Sequence, residues 1–118
     1  PLQPVTVENG CPQFVPKSHT WEVLPHHPIH NDPRVHGLEV DSADVSNAVT
    51  CELPAGGATV HHNRTLHHTA ANTTDIPRRA YTLVFGTPAK KREIPRHLPW
   101  QHLRKTPREE RRARHNSK

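Results

Sequence analysis

The sequence predicts an all-β body of the jelly-roll or barrel type. Short segments rich in strand-forming residues recur between turn signals, and no segment before residue 100 shows the 3.6-residue apolar period of a helix. Hydrophobic residues make up only 31% of the chain and 13 of its 118 residues are proline, so the material for a complete core is thin. The chain begins at Pro1 and contains no methionine, and we therefore expect it to be a piece of a longer protein.

The first predicted strand lies between two turn signals. Asn9-Gly10 is typical of a tight turn, residues 13–15 favour a strand, and Pro16 ends it because proline has no backbone N–H for the ladder. Residues 21–34 contain three prolines, which interrupt regular pairing and predict a loop.

Further strands are predicted in the middle of the chain. The segment VHGLEV, residues 35–40, is typical of a strand, and the polar residues 41–48 connect it to the next one. Residues 50–62 favour two short strands on either side of a turn at residues 54–57.

The clearest extended segments are TLHHT, residues 65–69, and RAYTLVF, residues 79–85. Residues 70–77 between them contain asparagine, aspartate and proline, which favour a turn. The sequence therefore predicts that the two segments form a hairpin.

The positive charge of the protein is confined to its C-terminal part. Residues 1–89 carry a net charge of −3, whereas residues 90–118 carry a net charge of +8. We expect a β-rich body over 1–89 and a basic, proline-rich tail over 90–118 that is extended or partly disordered, with a short helix at 107–115. A nucleic-acid-binding module is an alternative that depends on the tail alone, and we expect no nucleic-acid partner.

Cysteine content and hydropathy limit the class of protein further. Cys11 and Cys51 allow one disulfide but lack the spacing of a metal-binding pair, and two reduced thiols are expected. No apolar run in the sequence is long enough to span a membrane, and we expect a cytoplasmic location.

Four of the twelve histidines lie within eight positions, at 61, 62, 67 and 68. Neutral imidazole is a common ligand of transition metals, but histidines at the surface or held by hydrogen bonds are an equal alternative here. Neighbouring residues of a strand face opposite ways, so Thr65, His67 and Thr69 would share one face and His68 the other.

Three segments in order resemble the phytanoyl-CoA dioxygenase family of Fe(II)- and 2-oxoglutarate-dependent oxygenases. These are NGCPQFVPKSH, LPAGGATVHH and LHHTAANTTDIPRRAY, and the resemblance spans about residues 8–86. The sequence departs from the family pattern at Lys17, where glycine is usual, and at residues 68–70, where small residues are usual.

The resemblance implies a double-stranded β-helix, iron as Fe(2+) and 2-oxoglutarate as cosubstrate. It implies that His67 is the last iron ligand, that Arg78 binds the far carboxylate of 2-oxoglutarate, and that Thr69 adds a hydroxyl contact. Arginine suits this role because its planar fork binds a carboxylate through two hydrogen bonds. Arg79 stays an alternative, since on a strand it would share a face with the aromatic Tyr81.

The other two iron ligands of this family come from an H-x-D motif upstream of the NGC segment. His30-Asn31-Asp32 is the sole such triplet in the sequence, but it follows that segment. We therefore expect the true pair to lie outside this chain. The resemblance predicts hydroxylation of an aliphatic carbon of a small-molecule substrate with O2, releasing succinate and CO2. The alternative is a cupin-like metal-binding module without catalysis.

Overall fold

The computed structural model describes residues 1–88, 90–94, 96–103 and 105–116. Five of the nine regular elements in these residues are short β-strands, arranged in two small sheets, which agrees with the predicted β-rich class. The strands are β1 (Pro12–Phe14), β2 (His27–Pro28), β3 (Leu38–Glu39), β4 (Val49–Thr50) and β5 (His67–Thr69). Three 3-10 turns, Ser18–Thr20, Ile29–Asn31 and Pro99–His102, and one α-helix, α1 (Pro107–Asn116), complete the elements of the described part of the chain.

The described residues divide into two compact units. The first unit comprises Pro1–Glu22 and Asp44–Pro88, and the second comprises Val23–Ala43 and Ala89–Lys118. The division into a body at 1–89 and a tail at 90–118 remains a prediction.

The first unit is built on an antiparallel sheet with the order β4-β1-β5. Phe14 lies opposite His67, and Gln13 lies opposite His68. The Val15 amide donates to the Leu66 carbonyl at 2.9 Å and extends the pairing by one residue. Because Pro12 stands at the start of β1, its missing N–H costs the central strand little.

The buried core of this unit is small. Val5, Cys11 and Val15 are its buried hydrophobic residues among those described, and Val5 pairs with Leu53 through two backbone hydrogen bonds. Burial raises the pKa of the Cys11 thiol, which is free. So small a core is what the low hydrophobic content of the chain predicts.

Ser18 connects the end of β1 to the start of β5. Its buried hydroxyl donates to the Val15 carbonyl at 2.7 Å and accepts the Leu66 amide at 2.8 Å. Lys17, immediately before it, has a left-handed backbone with φ of 64°. That conformation favours glycine, so the structure explains why glycine is usual at this position of the pattern.

Gly10 is the glycine with the strongest conformational demand. Its φ is +80°, and a Cβ there would lie 2.4 Å from the Ala70 carbonyl oxygen. We expect Gly10→Ala to lower the free energy of unfolding by more than about 2 kcal/mol, because a left-handed alanine and a backbone clash act together. The measurement is urea denaturation followed by circular dichroism.

Gly56→Ala is the matched control for this substitution. Gly56 has φ of +77°, but a Cβ there would meet nothing within 4 Å. Its cost should be limited to the backbone, about 1 kcal/mol. Equal costs at the two glycines would show that Gly10 does not approach Ala70 in solution.

Two predicted strands do not form among the described residues. Residues 58–62 have no regular structure, and the predicted hairpin of 65–69 with 79–85 is wrong, because β5 pairs with β1 instead. Residues 79–85 are in no strand. The Leu2 amide donates to the Arg79 carbonyl at 3.0 Å, but no backbone ladder among the described residues continues along the segment. The apolar side chains of this segment are exposed, with Tyr81 at 79% and Phe85 at 86%.

The second unit contains the pair of β2 with β3 and the helical elements near the C-terminus. His27 lies opposite Glu39, and the predicted strand at 35–40 is reduced to the two residues of β3. The predicted loop at 21–34 is interrupted by β2 and by a 3-10 turn. The helix expected at 107–115 is present as α1, and no described helix is long and apolar enough to cross a membrane.

His27 is held between two carboxylates at the end of this small sheet. Its Nε2 lies 3.0 Å from Asp41 Oδ2, and its Nδ1 lies 3.5 Å from Glu39 Oε1. The hydrogen bond to Asp41, followed by that to the Pro28 carbonyl, raises the pKa of His27 above its ordinary value. The resulting stabilisation is complete below the unfolded-state pKa of about 6.5. It is lost as the pH rises through the raised pKa of the folded state.

Asp41→Asn should therefore lower the pKa of His27 towards its ordinary value. The check is an NMR titration of the His27 ring protons. Asp44→Asn is the control, because Asp44 accepts a hydrogen bond from the Ser46 amide and should leave the His27 titration unchanged. An unchanged titration in the Asp41 variant would contradict the ion pair.

Candidate functional site

A cavity of about 250 Å³ lies in the first unit. His61, His67 and Arg78 are among its lining residues, with Phe14 and Tyr81 contributing aromatic wall. The cavity thus brings together an imidazole of the histidine cluster and an arginine eleven positions later in the chain.

His67 reaches the cavity from the first position of β5. Its Nδ1 lies 2.8 Å from the Thr65 carbonyl oxygen, which can only accept a hydrogen bond. Nδ1 therefore carries the proton in the neutral ring, and Nε2 keeps its lone pair. A carbonyl that fixes the tautomer in this way is typical of histidines that bind metals.

Arg78 is half-buried and lines the cavity, whereas Arg79 is exposed and is not among the lining residues. Within the described residues, the Arg78 guanidinium has no hydrogen-bond or ion-pair partner. The strand-face argument in favour of Arg79 does not apply, because residues 78–83 are not a strand and neighbouring side chains such as Ala80 and Tyr81 both line the cavity.

Thr69 and His68 lie on β5 beside His67 but are not among the lining residues. Thr69 is opposite Pro12, and His68 is opposite Gln13. The hydroxyl contact of Thr69 with the cosubstrate therefore remains a prediction.

His61 also lines the cavity, although the sequence analysis assigns it no role. Its ring centroid lies 4.6 Å from that of Phe14 and 5.1 Å from that of His67. Desolvation, and then repulsion from His67, lower the pKa of His61 below its ordinary value, which favours the neutral form of the ring. Alternation separated His61 from His62, but it could not show which of the two lies beside His67.

His30 and Asp32 belong to the second unit. Both oxygens of Asp32 accept hydrogen bonds from the Arg34 guanidinium, at 3.1 and 3.0 Å, and this pairing lowers the pKa of Asp32. The Asp32 carboxylate is thus paired with a neighbouring cation, and the expectation that the HND triplet is not the iron-binding motif remains a prediction.

The donor set of the described residues does not make a closed metal site. No group of three or more histidine, cysteine, aspartate or glutamate side chains in the described part of the chain could hold a metal ion. His67 nevertheless fits the part of a single nitrogen ligand, because its Nε2 lone pair is left available in the cavity.

The sequence model of the phytanoyl-CoA dioxygenase family (PhyH) matches residues 1–80. The chain belongs to this family. The resemblance seen in its three sequence segments is thereby confirmed, and His67, Thr69 and Arg78 all lie within the matched residues of the phytanoyl-CoA dioxygenase model.

Two crystal structures of EvdO2 from Micromonospora carbonacea var. aurantiaca, one of them complexed with 2-oxoglutarate, are similar to this member of the phytanoyl-CoA dioxygenase family. Each is 48% identical, with a TM-score of 0.57, over 62% of this chain and 30% of the EvdO2 chain. The chain therefore spans about 30% of the length of EvdO2. No match was found among curated proteins.

Proposed function

We propose that the chain is part of an Fe(II)- and 2-oxoglutarate-dependent dioxygenase with a double-stranded β-helix fold. The reaction is hydroxylation of an aliphatic carbon of a small organic substrate, with 2-oxoglutarate and O2 converted to succinate and CO2. The observation that carries this proposal is that His67 and Arg78 line one cavity in a chain of the phytanoyl-CoA dioxygenase family. The likeness to EvdO2, which has been crystallised with 2-oxoglutarate, supports the choice of cosubstrate.

Arg78 is proposed to bind the far carboxylate of 2-oxoglutarate. A diacid held at one end by a metal places its other carboxylate against the protein, where an unpaired charge is costly. Arg78 is half-buried, and its guanidinium offers a planar, permanently charged fork for that carboxylate. Thr69 is proposed to add a hydroxyl contact once the cosubstrate is bound.

His67 is proposed to hold iron through Nε2, while the Thr65 carbonyl holds the proton on Nδ1. Bound iron supplies the redox chemistry that activates oxygen, and the protein supplies orientation and a pocket of limited water access. The remaining two ligands are proposed to come from an H-x-D motif outside this chain. We therefore expect the chain to be inactive by itself.

The test is succinate formation by the intact protein that contains this chain. The protein is supplied with Fe(II), O2 and 2-oxoglutarate, and succinate is measured with and without each component. Succinate that depends on all three supports the proposal. Metal binding with no consumption of 2-oxoglutarate would contradict it and favour a cupin-like metal-binding module. A cytoplasmic location and a small-molecule substrate are part of the same proposal.

A further inference from the structure

Three rings make a cluster at the wall of the cavity. Phe14 lies opposite His67 across the β1–β5 ladder, with ring centroids 5.9 Å apart and planes inclined by 29°. His61, beyond the turn at Gly56 and Gly57, closes the triangle at 4.6 Å from Phe14 and 5.1 Å from His67. Each ring of this cluster, Phe14–His61–His67, thus contacts the other two.

The cluster restricts rotation of the His67 ring, which the hydrogen bond to Thr65 alone does not prevent. The bond from His67 Nδ1 to the Thr65 carbonyl fixes one edge of the ring, but the ring can still swing about χ1 and χ2 around that edge. Phe14 packs in a stacked arrangement and His61 packs at a tilt of 52° to the His67 ring. A metal ligand must be held within about 0.5 Å and 10–20° of its working geometry, and packing of this kind supplies that restriction.

The other histidine of the adjacent pair has different surroundings. His62 Nδ1 accepts the Arg64 amide at 3.1 Å, and the His62 ring lies 5.4 Å from that of His19. His62 therefore offers a neighbouring imidazole that is not part of the cluster, and it provides a matched control.

We infer that His61 is a positioning residue that packs against His67, together with Phe14, and holds the His67 ring with Nε2 available to a metal. The inference rests on the proposed function only in the role it gives to Nε2 of His67. His61 acts in it through the shape of its ring and not through its nitrogens. Phenylalanine should therefore replace it, whereas alanine should not.

The test is the tautomer of His67 in the full 118-residue chain, read from the ring ¹⁵N chemical shifts without added metal. The measurement is made well above the ordinary imidazole pKa of about 6.5, so that the ring is neutral. The parent chain should show mainly the Nδ1–H form that the Thr65 carbonyl requires. In His61→Ala, loss of one aromatic contact should lower the ratio of Nδ1–H to Nε2–H by about three- to tenfold. His61→Phe and His62→Ala should keep the parent ratio.

The second measurement is Fe(II) binding by the intact protein, which reports on the role of His67 as a ligand. His61→Ala should weaken Fe(II) binding several-fold, and His61→Phe should restore it. If His61→Phe is as impaired as His61→Ala, a nitrogen of His61 is required and the inference is wrong. An unchanged tautomer ratio in His61→Ala also overturns it. A shifted ratio in a protein that forms no succinate from 2-oxoglutarate would support the positioning role and count against the proposed function alone.

Discussion

Replacement of His67 by alanine is expected to abolish iron binding and turnover in the intact protein. The substitution removes the single imidazole whose tautomer is fixed by the Thr65 carbonyl and whose ring lines the cavity beside Arg78. Loss of a partner that merely orients a ligand lowers metal affinity by about 10–100-fold, so loss of the ligand itself should exceed about 100-fold. The measurements are Fe(II) affinity by equilibrium dialysis and succinate formation.

His68→Ala is the control for that experiment. His68 follows His67 on β5 but is not among the residues that line the cavity. The His68 variant should retain most of its affinity and activity. The opposite pattern, a harmless His67 substitution and a damaging His68 substitution, would mean that the register of β5 is shifted by one residue.

Arg78→Ala is expected to raise the KM for 2-oxoglutarate strongly while iron binding stays nearly intact. Truncating one partner of a desolvated charge pair costs about 2–5 kcal/mol, and we therefore expect KM to rise by at least about 30-fold. The measurement is initial rate against 2-oxoglutarate concentration at saturating iron. The KM of Arg78→Lys should lie between those of the parent protein and of Arg78→Ala, because lysine keeps the charge and loses the planar fork.

Arg79→Ala is the matched control for the cosubstrate site. Arg79 is exposed and outside the cavity lining, so its removal should change KM by little. A large rise in KM for Arg79→Ala with no change for Arg78→Ala would transfer the carboxylate role to Arg79.

The proposed iron ligand and the proposed 2-oxoglutarate-binding arginine could be selected from the sequence, because the order of the family motifs along the chain identifies them without three-dimensional information. The spacing between the late histidine and the arginine, read through the family resemblance, selected His67 and Arg78, and both line the cavity. The turn at Gly10 and the strand that follows it were also predictable, since glycine and proline act on their own backbone.

The sequence could not show which segments pair with each other or which distant side chains come into contact. The β propensity of residues 79–85 is strong, but a strand exists only where another segment takes up its hydrogen bonds, and β5 pairs with β1. The role of His61 was hidden for the same reason. That role depends on contact with Phe14, which is 47 positions earlier in the sequence.

The exposed segment at 81–85 has a consequence for the colloidal behaviour of the chain. Tyr81, Leu83, Val84 and Phe85 expose 79%, 66%, 88% and 86% of their surface, and residues 81–85 carry no charge and no proline. Uncharged stretches of this kind with high β propensity are templates for cross-β stacking between molecules. Charges placed within 81–85, at positions such as Val84 that do not line the cavity, are therefore the substitutions that would best oppose precipitation of the isolated chain.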